Sequence, residues 1–171
     1  MAHEFYFTIK GNKQGAFKGE SSKPAHKAKI QGLAFEYSVS SPRDSATGQA
    51  SGKRQHKPVR IVKEWGAATP QIFTACVTNE TLTEVNIEFF KTSADGKESV
   101  YQTIKLTNAT VEKIEQFTSS ALGDGGGSSS ARHSAAADTH ELEAVSFTFQ
   151  KIEMENKDGK TSAADDWSDH A

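Results

Sequence analysis

A chain of 171 residues suits one domain and is long enough to bury a real core, because a chain of about 150 residues hides roughly 70% of its unfolded surface. Its ten phenylalanines, set among many Thr, Ser, Val and Ile, lean toward β structure, and a net charge of −2 argues against general binding to nucleic acid or an anionic membrane, which favours a basic face or tail. The single cysteine, Cys76, excludes an internal disulfide framework and a cysteine zinc site of its own, and suits folding in a reducing cytoplasm. The start, MAHEFYFTIKG, has no basic segment followed by an apolar run of about 7 to 15 residues, so no secretory leader is expected. No window approaches the roughly 20 apolar residues of a membrane span, which leaves export by a signal-independent machine open.

Residues 3–10 alternate, with Phe5, Phe7 and Ile9 on one face and Glu4, Tyr6, Thr8 and Lys10 on the other, as in a half-buried strand. A second strand is expected over residues 28–39: Leu33, Phe35, Tyr37 and Val39 share a face, Ile30 has the opposite parity, and Gly32 offers a bulge to correct it. Beyond a long polar loop, a strand is expected from Val59, covered on both sides near its end and closed by Trp65 and Gly66. Thr69 before Pro70 resembles an N-cap with Pro at the first helical position, and Ile72, Phe73, Cys76 and Val77 recur at helical spacing over residues 70–80. Phe73 and Val77 then face the core, with Cys76 a small buried hydrophobe beside them.

Val85, Ile87 and Phe89 form the next strand, Asp95-Gly96 signals a hairpin, and Val100, Ile104 and Leu106 share a face of the return. Asn108 is expected to end that strand, and the differing parity of Val111 and Ile114 within 109–117 predicts a bulge. The tract 118–138 is Gly/Ser/Ala-rich and too poor in large apolar groups to offset its ordering entropy, so a flexible loop is expected. One last long strand is expected over 141–153, with Val145, Phe147 and Phe149 inward. Asp158-Gly159 offers a turn, and the tail 156–171 frays or docks through Trp167. These elements predict a single mainly β domain, a small closed β-barrel or two-sheet sandwich with one short flanking α-helix.

The loop at residues 41–57 stands out because most connections are about 4 to 6 residues long. It carries Arg43, Lys53, Arg54, His56 and Lys57. Three readings stay open: a solvated loop, a local phosphate or nucleic-acid contact without the interleaved aromatics such a contact favours, and an arm docking on a neighbouring subunit. No catalytic or cofactor template is met. There is no Walker A run, HExxH, GxSxG or dinucleotide fingerprint, and GDGGGS at 123–128 sits in a linker-like tract rather than between a strand and a helix. His3, His26, His56, His133, His140 and His170 are scattered and read as solvated. Asp165, Asp166 and Asp169 read as solvated tail charges. No metal, cofactor or enzymatic activity is expected.

Several blocks in order, SPRDSATGQASGKRQHKPVRIVKEWGAATPQIF, KTSADGKESVYQTIKLTNATV, ELEAVSFTFQKIE and a terminal DDW, resemble the haemolysin-coregulated protein (Hcp) family, the tube subunit of bacterial type VI secretion systems. The resemblance runs from IKG near the start to DDW. It implies a β-barrel flanked by a helix, assembled as a hexameric ring with a wide channel. Rings stack into a tube inside a contractile sheath, capped by a spike, and are expelled; the lumen can hold small effectors. The partners implied are further copies of the chain, sheath, spike and baseplate proteins, and effector cargo, with no nucleic acid and no membrane insertion. The localisation implied is cytoplasmic, then secreted without a cleaved signal peptide.

By position, residues 40–57 match the family's extended arm, which reaches between subunits or rings, with Arg43, Asp44, Gln49, Lys53, Arg54, Gln55, His56 and Lys57 as interface residues. The helix, through Gln71, Thr74 and Thr78, borders the channel. The tract 118–138 is longer and looser than the family's connection, and the chain's stop soon after the last strand resembles a bare tube subunit without a toxic C-terminal domain. A monomeric β-sandwich binding carbohydrate or another small ligand is the alternative, although no exposed aromatic platform is evident. A hydrolase toxin lacks the residue constellations it would need.

Overall fold

The computed structural model describes residues 3–118 and 141–167. The predicted flexible tract beyond Thr118, with His133 and His140, and the final Asp169 and His170 lie outside the described residues. In chain order the elements are β1 (Glu4–Gly11), β2 (Gly15–Ala16), a 3-10 turn (Pro24–His26), β3 (Ile30–Gly32), β4 (Ala34–Glu36), β5 (Val39–Ser40) and β6 (Gln55–His56). Then follow β7 (Val59–Glu64), α1 (Thr69–Val77), β8 (Leu82–Thr92), β9 (Glu98–Thr118), β10 (Glu141–Thr148), β11 (Lys151–Asn156) and β12 (Thr161–Asp166). The fold is mainly β with one α-helix among the described residues, as expected.

The strands lie in the order β2-β1-β8-β9-β10-β7-β4, with β3 beside β1, β11 beside β9 and β12 beside β11. The ladders do not draw a closed barrel. The strand expected over 28–39 is divided: Ile30–Gly32 pairs with β1, Ala34–Glu36 pairs with β7, and Leu33 between them donates its N–H to the Val62 carbonyl at 2.8 Å. The division begins at Gly32 because a Cβ there would lie 1.9 Å from Phe5 Cε2. The Phe5 ring therefore lies on the glycine backbone, packed against Phe35 and Phe89 at centroid distances of 6.3 and 5.3 Å. Leu33 and Val39, expected to share a face with Phe35 and Tyr37, are exposed, whereas Phe35 and Tyr37 are half-buried.

Strand β9 is the spine of the molecule. Residue Asn108 does not end it but is carried through in a left-handed conformation, φ 50°, a region that Asn tolerates better than most residues. β8 pairs along one edge of β9, while β11 and β10 follow one another along the other. The predicted bulge is present: pairing passes from Ser146↔Lys113 to Phe147↔Val111 and skips Glu112. The strand expected over 141–153 breaks at Phe149 and Gln150, where β10 continues the sheet toward β7 and β11 continues it toward β12.

The interior gathers Phe5, Phe7, Ile9, Val59, Ile61, Ile87, Leu106 and Phe147 under the helix face Ala68, Ile72 and Ala75. Phe73 and Val77 are not part of this face; they are 57% and 62% exposed, and Cys76 is half-buried. The four predicted apolar positions span a broad sector, and packing selects the Ala68-Ile72-Ala75 stripe, which leaves the Phe73-Val77 i, i+4 ridge outside. Thr69 is the first helical residue rather than the cap. Its hydroxyl accepts from Gly66 N–H at 3.0 Å and donates to Glu143 at 2.9 Å, while Glu20 takes the Ala68 N–H at 3.1 Å.

The outer face of β1 is less exposed than its alternation predicts. Tyr6 is fully buried, stacked on His26 at 4.2 Å and edge-on to Phe90 at 5.6 Å. A buried ion pair also stands on interior positions: Lys63 lies 2.6 Å from Glu143 and 2.8 Å from Glu20, with Lys63 and Glu143 both at 0% exposure. The helix-entry loop and Glu20 close over it, so the charges are paired where they are desolvated.

Candidate assembly surface

The segment expected as a loop without secondary structure is an ordered tongue. Its root is the β5–β6 pair, Val39↔His56 and Ser40↔Gln55. Outward, Ser51 N–H donates to Pro42 O at 2.9 Å, Arg43 bridges to Ala50, and Asp44 N–H reaches Gln49 O at 2.8 Å. At the tip the Asp44 carboxylate accepts the N–H groups of Ala46 and Thr47 at 2.7 and 3.0 Å, which fold an Asx turn and hold its carboxyl below the usual range. Gly48, at φ 73°, supplies the left-handed residue that completes the reversal.

Arg43, Asp44, Gln49, Lys53, Gln55 and Lys57 are all exposed, but Arg54 is half-buried and His56 is buried. Both of the latter reach the C-terminal hairpin. Asp165 Oδ2 accepts from Arg54 Nε at 2.5 Å and lies 2.6 Å from His56 Nε2. The Arg54 Nη2 donates to the Asp166 carbonyl at 2.8 Å, and the Tyr37 hydroxyl lies 2.6 Å from His56 Nδ1. Above them Trp167 packs on His56 and Phe149 at 5.4 and 6.1 Å.

Charge shapes this anchor. The Arg54 guanidinium, more than His56, holds the Asp165 carboxyl below the usual range against the opposing pull of burial, and burial followed by the Asp165 charge pushes the Tyr37 hydroxyl up. Two sequence expectations are thereby corrected. His56 and His26 are buried rather than solvated, and Asp165 with Asp166 is no solvated tail but part of β12 and the tongue's foundation. Of the two alternatives open for the tail, fraying or docking, Trp167 itself takes the second, packed on His56 and Phe149.

The structure brings Arg54 and His56 together and leaves the tip residues projecting from them. Gln71, Thr74 and Thr78 are separate from this cluster. Gln71 accepts Lys18 N–H at 2.8 Å through its side chain, and the hydroxyls of Thr74 and Thr78 donate to Pro70 O and Thr74 O at 3.0 and 2.7 Å. They form a polar, uncharged helix surface beside the exposed Phe73 and Val77.

Sequence reading missed Tyr37, Asp165, Lys63 and Glu143 as organising residues. For the last two a signal existed: Lys63 shares the parity of Val59 and Ile61, and Glu143 that of Val145 and Phe147, so opposite charges occupied interior positions of two strands. No comparable signal marked Asp165. Among the described residues no group of His, Cys, Asp and Glu is placed to hold a metal ion, and no helix is long and apolar enough to cross a membrane.

The family model described as "Type VI secretion system effector, Hcp" matches residues 6–155. The chain is 34% identical over 176 residues to the "Major exported protein" of Pseudomonas aeruginosa, covering 98% of this chain and 96% of that one. Among solved structures, an Hcp protein crystal structure superposes with a TM-score of 0.82 at 27% identity, covering 97% of this chain and 100% of the other. The secreted Hcp3 of Pseudomonas aeruginosa gives 0.75 at 28% identity, with 98% and 100% covered. A tryptophan double mutant of Hcp1 from the Escherichia coli EAEC 042 pathovar gives 0.80 at 26% identity, with 97% and 99% covered. A tongue rooted on the terminal hairpin, a long shared strand and a single helix thus occur in a chain that belongs to the Hcp family of type VI secretion proteins.

Proposed function

We propose that this protein is the repeating subunit of a type VI secretion tube, made in the cytoplasm and exported as part of what it builds. Six copies close a ring, rings stack, and the mechanism is assembly rather than turnover. The successive pairing of β3 and β4 with β1 and β7 acts as the barrel's seam. Arg43, Asp44, Gln49, Lys53, Gln55 and Lys57 form the arm's contact surface, with Arg54 and His56 setting its angle through Asp165. Gln71, Thr74 and Thr78 border the channel. Sheath, spike and baseplate proteins engage the assembled tube, and small effectors occupy its lumen.

The observation that carries this reading is the tongue itself, ordered by its own turn and fixed at its root while its polar tip stands in solvent. A protruding polar element on one surface suits a heterologous contact, in which a subunit offers one patch and receives on another. The comparisons lend no support to the carbohydrate-binding alternative. Native mass spectrometry across protein and salt concentration, with electron micrographs of the same samples, tests the proposal. Hexameric rings that loosen with salt are expected; a monomer persisting at high concentration with the arm intact refutes it.

A further inference from the structure

At the end of β7 the surface opens into a cavity of about 210 Å³ lined by Glu20, Gln31, Leu33, Glu64, Trp65 and Gly66. The Trp65 indole is held in place, because its N–H donates to the Leu142 carbonyl at 2.9 Å, yet the residue remains 47% exposed. Leu33 adds an aliphatic wall at 37% exposure. Glu20 is already engaged through both oxygens, with Lys63 at 2.8 Å and the Ala68 N–H at 3.1 Å. Glu64 differs: its carbonyl takes the Lys63 ammonium at 2.6 Å, while its exposed carboxylate makes no ion pair among the described residues.

A fixed aromatic face, an apolar wall and an uncommitted carboxylate together fit a cation carried on an aliphatic stem. Guanidinium suits them best, because it stacks on an indole and pairs in a fork with a carboxylate. The tongue carries such a group. Arg43 is exposed and held by its bridge to Ala50, and adjacent Asp44 is committed to the N–H groups of Ala46 and Thr47. The Asx turn directs Oδ1 of the one acid beside Arg43 to backbone N–H groups, and among the described residues the guanidinium makes no ion pair, which leaves it available.

We propose that Arg43 of one copy seats its guanidinium against Trp65 and Glu64 of a second copy, making the tongue tip and this pocket the two halves of one contact. The proposal rests on the reading that the chain assembles with itself through its arm. Two different patches of one molecule meeting in this way propagate into a ring or a filament rather than stopping at a two-fold dimer.

The test uses the full chain and compares wild type, Arg43→Glu, Glu64→Arg, Trp65→Leu and the double reversal Arg43→Glu/Glu64→Arg by native mass spectrometry and sedimentation. Thermal melting and circular dichroism first establish that each variant is folded; Glu64→Gln replaces Glu64→Arg if the latter is not. Each single change is expected to weaken association about tenfold or more per contact, the scale of a lost close charge pair, and the double reversal is expected to restore it. If Arg43→Glu disrupts rings while the pocket variants assemble normally, the pocket assignment is overturned and the arm reading stands. If wild type forms rings and Arg43→Glu does not weaken them, this contact is wrong without touching the tube assignment. A wild type that stays monomeric removes both.

Discussion

Replacing Asp165 with Ala removes the group on which the tongue turns. Two hydrogen bonds to a charged acceptor are lost, from Arg54 at 2.5 Å and from His56 at 2.6 Å, whereas the Arg54 bond to the Asp166 carbonyl remains. Such bonds contribute about 1.5 to 3 kcal/mol each when well buried. The Asp165 side chain is 34% exposed, so solvent screening and the surviving Arg54 bond bring the sum to about 2 kcal/mol. For a chain of this size that corresponds to a melting point lower by about 4 to 8 °C. The comparison is made at matched oligomeric state, because association itself raises apparent stability. Hydrogen exchange across residues 39–57 should quicken while β9 keeps its protection. A variant that melts within about 1 °C of wild type, with unchanged exchange in the tongue, refutes the anchor.

Gly32→Ala would place a methyl 1.9 Å from the Phe5 ring, and the overpacking is expected to cost about 1 to 3 kcal/mol, read by urea denaturation. Lys63→Met strands Glu143 at 0% exposure and is expected to destabilise by about 3 kcal/mol or more, measured the same way. Replacing Lys53 and Lys57 with Ala should leave the melting point nearly unchanged, because both are exposed, yet lower association in native mass spectrometry. Asp165 and Glu4 have depressed carboxyl pKa values, set first by Arg54 and Lys23. Their stabilisation is therefore intact above the unfolded values of about 3.9 and 4.3 and is lost as pH falls through the lower folded ones. Acid titration of wild type and Asp165→Asn should show a shallower loss in the variant.

The local rules visible in the chain were strong ones. The shift of parity between Val111 and Ile114 located a bulge because a period of two tolerates no other correction, and Asp95-Gly96 located a hairpin because glycine accepts φ 81° there. What failed was choice among permitted alternatives. Ile72, Phe73, Cys76 and Val77 mark an apolar side of α1 without saying which stripe meets the core; Ala68 and Ala75 decide that by allowing close approach. Asn108 signals a strand end as readily as a strand carried through it. The anchor was illegible for a different reason: Arg54 and Asp165 are 111 positions apart, and their meeting is a property of how β11 and β12 fold back on β9. The arm was visible only as an anomaly of length, and its family role came from motif order rather than from charge.

Strand β9 also gives the subunit a mechanical grain. Its 21 residues are laced to neighbours along both edges, so tension applied lengthwise loads many hydrogen bonds at once in shear. β12 is stitched along one edge to β11 and can be peeled pair by pair. Because β12 carries Asp165, peeling it also unfastens the tongue from Arg54 and His56. Stress on the subunit would thus undo its grip on a neighbour before it tears the frame. Single-molecule extension along the axis of β9, compared with pulling from Trp167, should give a high and a low rupture force respectively; equal forces would deny the subunit this built-in fuse.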